Sequence, residues 1–272
     1  MADILVVGLG DLGSRIAIGA LHAGNAVCAM RRNSQCPQGI RLVQHDATLP
    51  WPDITGTFTD VILCVAPDER NESAYRQAYL TIGERALQWL AQHANPPHVW
   101  VVSSTGVYGQ QNGEWVTEES PRQPSSQTAK ILVAAEDFWF NSGVACTILR
   151  PAGIYGPGRT MMITIAKKAI HFIENKPVYT NRIEVSDCAR AIVYLVQQRL
   201  QGVRVADAYN LTDLQPAPYT EVIDFLQQQL QIIPVSVEQR NNGSKRVSAN
   251  RLQQTGFDWH YPDYQAGYLA LL

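Results

Sequence analysis

What this sequence lacks excludes several protein classes. No stretch reaches the ~18–20 consecutive apolar residues that a membrane-spanning helix needs, although 46% of the 272 residues are hydrophobic. The apolar residues 4–9 are too few for the core of a secretory signal, and no basic residue precedes them. We therefore expect a soluble, cytoplasmic protein with no membrane partner.

Clusters of like charge are also absent. Lysine and arginine number 22 against 24 acidic residues, so the formal net charge is -2, and the two signs are mixed along the chain. A protein that binds nucleic acid or anionic lipid needs a concentrated basic surface. The even mixture therefore predicts no nucleic-acid partner.

The spacing of cysteine and histidine fits neither a metal site nor a disulfide framework. The five cysteines form no C-x-x-C pair and lie far apart, at positions 28, 36, 64, 146 and 188. The six histidines form no H-x-x-x-H pattern and do not lie near the cysteines. Scattered thiols of odd number are typical of reduced cysteines in a cytoplasmic protein. We predict no metal.

Short β-branched runs alternate with amphipathic helical patterns through most of the chain. This alternation predicts the α/β class, with a doubly wound parallel sheet covered on both faces. The predicted strands are residues 4–7, 26–30, 41–44, 61–65, 99–102, 145–149 and 208–211. The predicted helices are residues 14–23, 72–93, 130–140, 161–173, 186–198 and 219–230, with one more beginning near residue 248. We expect residues 110–124 to form a polar loop, and Ser186 and Asp187 to cap the helix that follows them.

A glycine pattern joins the first predicted strand to the first predicted helix. Gly8, Gly10 and Gly13 stand there in the order G-x-G-x-x-G, with Asp11 and Leu12 between the last two. Gly8 permits a tight turn, Gly10 lets the backbone approach a pyrophosphate, and Gly13 lets the helix pack on the strand. The helix then presents free amides and the positive end of its dipole. This context predicts a Rossmann fold that binds NADP(H) or NAD(H); an ordinary glycine-rich turn is the alternative.

The end of the second strand bears on which coenzyme is bound. Arg31 and Arg32 stand where an NAD-specific site usually carries an acid that bonds the ribose hydroxyls. Arginine attracts a 2′-phosphate, so we predict NADP(H), with NAD(H) as the alternative. The alternative is that both arginines simply point into solvent and bind no phosphate. Asp46, after the third strand, is a candidate acceptor for the adenine amino group or a simple turn residue.

Four further segments, together with the glycine turn, resemble the extended short-chain dehydrogenases, the NAD-dependent epimerase/dehydratase group that acts largely on nucleotide sugars. They occur in the family's order, at residues 103–109 (SSTGVYG), 149–158 (LRPAGIYGPG), 183–191 (IEVSDCARA) and 209–211 (YNL). The resemblance implies a Rossmann domain of residues 1–158 and 183–215 and a small C-terminal substrate lobe of residues 159–182 and 216–272. It also implies a homodimer in many members.

The resemblance assigns roles to individual residues. Ser104 matches the catalytic hydroxyl of the fifth strand, and Lys130 matches the lysine of the next helix, which bonds the nicotinamide ribose. A solvated helix lysine is the alternative for Lys130. Val65, Ala66 and Pro151 complete the expected coenzyme contacts.

The family's catalytic tyrosine is missing. Ser126 stands four residues before Lys130, where the family pattern Tyr-x-x-x-Lys has a phenol. A phenol with a pKa of ~10 can be brought towards neutrality, but an alkanol is a far weaker acid and cannot replace it. Tyr108 is the candidate surrogate acid, with a packed structural tyrosine as the alternative reading; Glu118, Glu119, Tyr155 and His171 are further candidates, and no single one stands out.

Two functions follow from these residues. The first is an NAD(P)-dependent reductase-like or epimerase-like enzyme with a non-standard active site, acting on a nucleotide sugar or another small polar substrate. The basic residues of the inserted lobe suit a phosphorylated substrate, although solvated helix faces look the same. The second is a catalytically inactive sensor that binds NADP(H) or another ligand.

Overall fold

The computed structural model describes residues 3–240 and 243–272. The strands, in chain order, are β1 (Asp3–Val7), β2 (Ala26–Arg31), β3 (Arg41–Gln44), β4 (Phe58–Leu63), β5 (His98–Val102), β6 (Asn112–Val116), β7 (Cys146–Pro151), β8 (Gly153–Tyr155), β9 (Ile170–Glu174), β10 (Tyr179–Thr180), β11 (Arg182–Glu184), β12 (Ala208–Leu211), β13 (Ala217–Pro218), β14 (Ser236–Arg240) and β15 (Ser244–Val247). The α-helices are α1 (Asp11–His22), α2 (Glu72–Tyr75), α3 (Ile82–Leu90), α4 (Gln127–Phe140), α5 (Met161–Ala166), α6 (Val185–Leu200), α7 (Tyr219–Gln229), α8 (Asn250–Gln254) and α9 (Tyr264–Leu269).

Seven strands form the central parallel sheet, in the order β12-β7-β5-β4-β1-β2-β3. The chain builds outward from β1 in one direction through β2 and β3, and in the other through β4 and β5. The direction of winding therefore reverses between β1 and β4, and a crevice opens beyond their carboxyl ends at such a point. The predicted Rossmann fold with a doubly wound parallel sheet is confirmed.

The chain forms two compact units. The first consists of the described residues of 1–107, 124–150 and 189–209, and its core packs aromatic side chains against the sheet. The indole rings of Trp51 and Trp89 lie 5.8 Å apart between centroids, and Phe58 lies 5.9 Å from Trp89. Burial of such large apolar side chains is the main stabilising term of the unit.

The second unit consists of the described residues of 108–123, 151–188 and 210–272. Helices α5, α7 and α9 and strand β9 contribute to its core, in which Phe172 meets Tyr219 edge to face at 5.2 Å. Four two-stranded sheets complete the unit, pairing β10 with β13, β11 with β8, β14 with β9 and β15 with β6.

The predicted helix of residues 72–93 is confirmed over most of its length, but it is not uniform. It begins as α2 behind Asn71, whose side-chain oxygen accepts the amide hydrogen of Ala74 at 2.9 Å, and it ends as α3 at Leu90. Between them, residues Arg76–Thr81 form a π-helical turn. Such wider turns are frequent at functional sites.

Two predictions in the second unit are wrong. Residues 161–173 form a helix only to Ala166, because Ala169 adopts a positive φ of 57° and the chain continues as β9. Residues 110–124 are not all loop, because 112–116 form β6. Strand β9 pairs with β14, and β6 pairs with β15, both far along the chain. The local sequence therefore did not predict these two strands.

The start of helix α6 also differs from the prediction. The helix begins at Val185, and the Glu184 carboxylate, not Ser186 or Asp187, accepts the first amides: those of Ser186 at 2.6 Å and Asp187 at 3.4 Å. The Asp187 carboxylate instead accepts the amides of residues 260 and 261, at 3.2 and 2.7 Å. The acid that caps the helix thus precedes the predicted cap.

Among the described residues, every helix is too short or too polar to span a lipid bilayer.

Candidate functional site

The turn after β1 depends on two of its glycines. Gly8 has a φ of +94°, and its amide donates to the carbonyl of Met30 at 3.0 Å. A Cβ atom on Gly8 would overlap the backbone of Cys64, and one on Gly13 would overlap the carbonyl of Gly8. Both positions therefore require glycine, the first for its conformation and the second for the contact between helix and strand.

Gly10 has a different surrounding. No heavy atom lies within 4 Å of the position that its Cβ would take. It stands at the N-cap of α1, a helix of 12 residues, and forms no side-chain cap. A helix N-terminus without a side-chain cap suits an anionic group.

A cavity of about 750 Å³ opens beside this turn, entirely within the first unit. Its walls come from the chain that follows β1, β2, β3 and β4 and from the helix around the π-helical turn. The lining residues are Gly8, Leu9, Gly10, Met30, Arg31, Arg32, Asn33, His45, Asp46, Ala47, Thr48, Cys64, Val65, Ala66, Pro67, Asp68, Ala74, Gln77, Ala78 and Ile82. The volume is in the range of small-molecule sites.

The structure brings most of the predicted coenzyme residues together. Those that line the cavity are Gly8, Gly10, Arg31, Arg32, Asp46, Val65 and Ala66. Asp11, Leu12 and Gly13 form the first turn of α1, where the Asp11 carboxylate accepts from Arg15 at 2.9 Å. Lys130 and Pro151 do not line it, since they lie on α4 and at the end of β7.

The two arginines of the cavity have different partners. The Arg32 guanidinium donates two hydrogen bonds of 2.8 Å to the two carboxylate oxygens of Asp68. This pairing raises the pKa of Arg32 and lowers the pKa of Asp68. The Arg31 guanidinium donates to the carbonyl of Gln35 at 2.7 Å. Arg31 thus remains a cation without a carboxylate partner among the described side chains.

Asp46 stabilises its own turn. Its carboxylate accepts from the amide of Thr48 at 2.9 Å and from the Thr48 hydroxyl at 2.8 Å. These two hydrogen bonds hold the pKa of Asp46 below its usual range. The side chain is therefore ionised at neutral pH and lies at the cavity wall.

Ser104 and Lys130 both belong to the first unit. The Ser104 Oγ accepts the amide hydrogen of Gly106 at 3.1 Å, in the short 3₁₀ turn Thr105–Val107, and helix α4 packs against this turn. Lys130 is exposed on the first turns of α4. Ser126 is the N-cap of the same helix, and its Oγ accepts the amide hydrogen of Ala129 at 3.1 Å.

A buried ion pair holds α4 on the sheet. The Arg150 guanidinium donates to the Glu136 carboxylate at 3.0 and 2.7 Å, with both side chains at most 2% exposed. The Ser103 hydroxyl donates to the same carboxylate at 2.7 Å. The network ties β5 and β7 to the helix that carries Lys130.

Tyr108, the predicted surrogate acid, is buried at 2% exposure in the second unit. Its hydroxyl donates to the Asn210 Oδ1 at 2.9 Å. The backbone N–H of Asn210 donates to the carboxylate of Glu118 at 2.8 Å, and Glu119 forms an ion pair with Arg251. These contacts are what a packed structural tyrosine makes.

The second unit also holds a buried polar cluster. Asp213 is 1% exposed, and burial raises its pKa to about 8, against the opposing influence of Arg182. Burial also raises the pKa of Tyr155, whose ring lies 4.5 Å from that of Tyr268. One oxygen of Asp213 and the hydroxyl of Tyr155 have no hydrogen-bond partner in the described part of the chain.

Several cavity residues were not predicted from the sequence. Cys64, Pro67 and Asp68 lie within five residues of the end of β4, and the carboxyl ends of β4 and β1 lie side by side at the same edge of the sheet. Ligands of such sheets bind beyond the carboxyl ends of the strands, so the residues that follow this predicted strand could have been named as site candidates. Gln77 and Ala78 lie in the π-helical turn, which the helical spacing of the apolar residues does not reveal.

Comparisons with known proteins agree with this geometry. A sequence model of the NAD dependent epimerase/dehydratase family matches residues 4–211. A comparison with curated proteins finds no match. Among solved structures, a Methylobacillus flagellatus protein classed with the NAD-dependent epimerases/dehydratases is 32% identical, with a TM-score of 0.81 over 99% of this chain and 97% of its own.

More distant structures share the fold. MoeE5, solved with UDP-glucose and NAD, is 22% identical, with a TM-score of 0.74 over 98% of this chain and 96% of its own. UDP-glucuronic acid 4-epimerase from Bacillus cereus, solved with NAD, is 14% identical, with a TM-score of 0.77 over 97% and 95%. With the family match over most of its length, the chain belongs to the NAD-dependent epimerase/dehydratase family.

Proposed function

We propose that this protein binds a nicotinamide coenzyme, with NADP(H) preferred over NAD(H), in the cavity beside the glycine turn. The observation that carries the proposal is the combination of a glycine-bounded helix N-terminus with two arginines at the end of β2, all lining one cavity. The open space at Gly10 suits the pyrophosphate, and Arg31, which has no acidic partner among the described residues, suits a 2′-phosphate.

Other residues support the remaining parts of the coenzyme. Val65 and Ala66 offer an apolar wall, and Asp46 offers an ionised acceptor for the adenine amino group. Lys130, which lies on α4 outside the lining of the cavity, is the proposed donor to the nicotinamide ribose. Asp11, Leu12 and Gly13 contribute the helix end. Pro151 stays a predicted coenzyme contact that rests on the family resemblance alone. A bound nicotinamide coenzyme supplies a donor or acceptor of hydride.

We infer that the substrate is a nucleotide sugar or another small polar molecule, in keeping with the nucleotide sugars bound by MoeE5. Ser104 is the residue proposed to hold the reacting oxygen, since its hydroxyl hydrogen is not needed for the hydrogen bond that its oxygen accepts from Gly106. For Tyr108, the hydrogen bond from its buried hydroxyl to Asn210 favours the structural alternative over a role as proton carrier.

A second function, that of a coenzyme-binding sensor without catalysis, is favoured by Ser126. This residue takes the place of the family's tyrosine and serves as the cap of α4, so no phenol stands beside Lys130 at that position. The cavity for the coenzyme does not depend on this residue. Binding can therefore persist where proton transfer has been lost.

Two measurements separate these functions. Calorimetric titration of NADP(H) and NAD(H) against wild type and Arg31→Ala tests the coenzyme: a selective loss of NADP(H) affinity is expected, and equal losses for both coenzymes contradict the preference. Assays of nicotinamide absorbance and substrate-proton exchange, with a panel of nucleotide sugars and small carbonyl compounds, test the enzyme. Turnover that Ser104→Ala or Lys130→Met abolishes supports it, and no turnover with intact coenzyme binding supports the sensor.

A further inference from the structure

The ion pair between Arg32 and Asp68 joins two loops across the crevice. Arg32 follows β2 and Asp68 follows β4, and these two strands flank β1 in the sheet. The glycine turn, which begins at Gly8, therefore follows β1, the strand between them. Both side chains line the cavity, and both are largely exposed, at 64% and 67%.

The pair also sets the charge of the cavity wall. Its lysine, arginine, aspartate and glutamate side chains are Arg31, Arg32, Asp46 and Asp68, two of each sign. The Asp46 carboxylate accepts hydrogen bonds from Thr48. Both carboxylate oxygens of Asp68 accept hydrogen bonds from Arg32. The Nη1–Nη2 edge of Arg32, a geometry suited to phosphate, is thus already occupied by a carboxylate.

We propose that Asp68 is a specificity-determining residue that competes with the 2′-phosphate of NADP(H) for the guanidinium of Arg32. This inference rests on the proposed coenzyme function. NAD(H) carries a hydroxyl at that position and leaves the pair intact. NADP(H) binds fully only when Arg32 exchanges the carboxylate for the phosphate, so Asp68 moderates a preference that Arg31 and Arg32 establish.

The test uses two ligands that differ only in the 2′-phosphate, adenosine 2′,5′-bisphosphate and 5′-AMP, titrated by calorimetry into the full chain at 0.15 M salt. In Asp68→Asn, we expect affinity for the bisphosphate to rise about two- to fivefold, the range of an exposed ion pair, and affinity for 5′-AMP to stay the same. Asp53→Asn is the matched control, because it removes the same charge from an exposed residue outside the cavity.

A double-mutant cycle with Arg32→Ala identifies the mechanism. If Asp68 acts through Arg32, the gain from Asp68→Asn disappears in the Arg32→Ala background. The same gain in both backgrounds would mean simple repulsion of the phosphate and would overturn the proposal, as would an unchanged ratio of the two affinities in Asp68→Asn. A wild-type protein that binds neither ligand would instead refute the coenzyme function itself, and the inference with it.

Discussion

A Cβ atom on Gly13 would overlap the carbonyl oxygen of Gly8, so helix α1 meets the end of β1 backbone against backbone. Gly10, between them, has nothing within 4 Å of its Cβ position. The two glycines therefore serve different purposes. Gly13 allows the helix to pack against the strand, and Gly10 leaves free space beside the N-terminus of the helix.

This difference gives a prediction about two similar substitutions. Gly13→Ala should lower the free energy of unfolding by about 1–3 kcal/mol, because the helix must shift away from the strand. Gly10→Ala should change stability by no more than about 1 kcal/mol, since its φ of -75° suits alanine. It should nevertheless weaken coenzyme binding at least about tenfold, because the methyl group enters the space assigned to the pyrophosphate. Urea unfolding and calorimetry measure both effects; wild-type affinity in Gly10→Ala would contradict the placement.

The Arg150–Glu136 pair gives a prediction about stability. Glu136→Gln leaves the guanidinium of Arg150 buried without its carboxylate, which should cost about 3–5 kcal/mol in urea unfolding. Glu72→Gln is the matched control, because its pair with Arg76 is more than half exposed on both sides and should contribute little. Similar losses in the two variants would show that burial of the Arg150–Glu136 pair is not what matters.

Tyr108 gives a prediction that tests its role. Tyr108→Phe removes the donor to Asn210 and leaves a buried amide oxygen without that hydrogen bond, so we expect a loss of about 1–2 kcal/mol in stability. Coenzyme affinity should not change. Tyr75→Phe, on helix α2, is the control, because the Tyr75 hydroxyl makes no hydrogen bond within residues 3–240 and 243–272. If Tyr108→Phe instead abolishes turnover at unchanged stability, Tyr108 is the proton carrier after all.

Asp213 gives a prediction about pH. Burial raises its pKa in the folded protein from 3.8 to about 8, so between these values the unfolded chain is ionised while the folded chain stays protonated. Its contribution to stability is therefore complete below about pH 4, declines as pH rises, and is lost above about pH 8. Asp213→Asn should gain stability relative to wild type as pH increases over this window, measured as the difference in urea unfolding. A difference independent of pH would show that the native carboxyl has an ordinary pKa.

Much of the first unit follows from local sequence, and much of the second does not. Residues 61–65 read as a continuous apolar run and predicted the second half of β4, although the strand begins earlier, at Phe58. The glycine turn stands between a strand and a helix, so it was predictable as well. Strands β9 and β14 pair with each other although more than 60 residues separate them along the chain. A pairing at that distance leaves no pattern in the local sequence of either strand. Asp68 was not predicted as a site residue for the same reason, because its partner Arg32 lies 36 residues earlier in the chain.

Ser126 restrains any attempt to rebuild the usual chemistry of the family. A tyrosine placed there has no oxygen near its own backbone to accept the amide of Ala129, so helix α4 would begin with that donor unsatisfied, a loss of about 1 kcal/mol. A phenol at this position would thus weaken the first turn of α4, the helix that carries Lys130. A variant with tyrosine at this position would need α4 to begin one residue earlier, where Ser125 already offers a hydroxyl that can cap a helix.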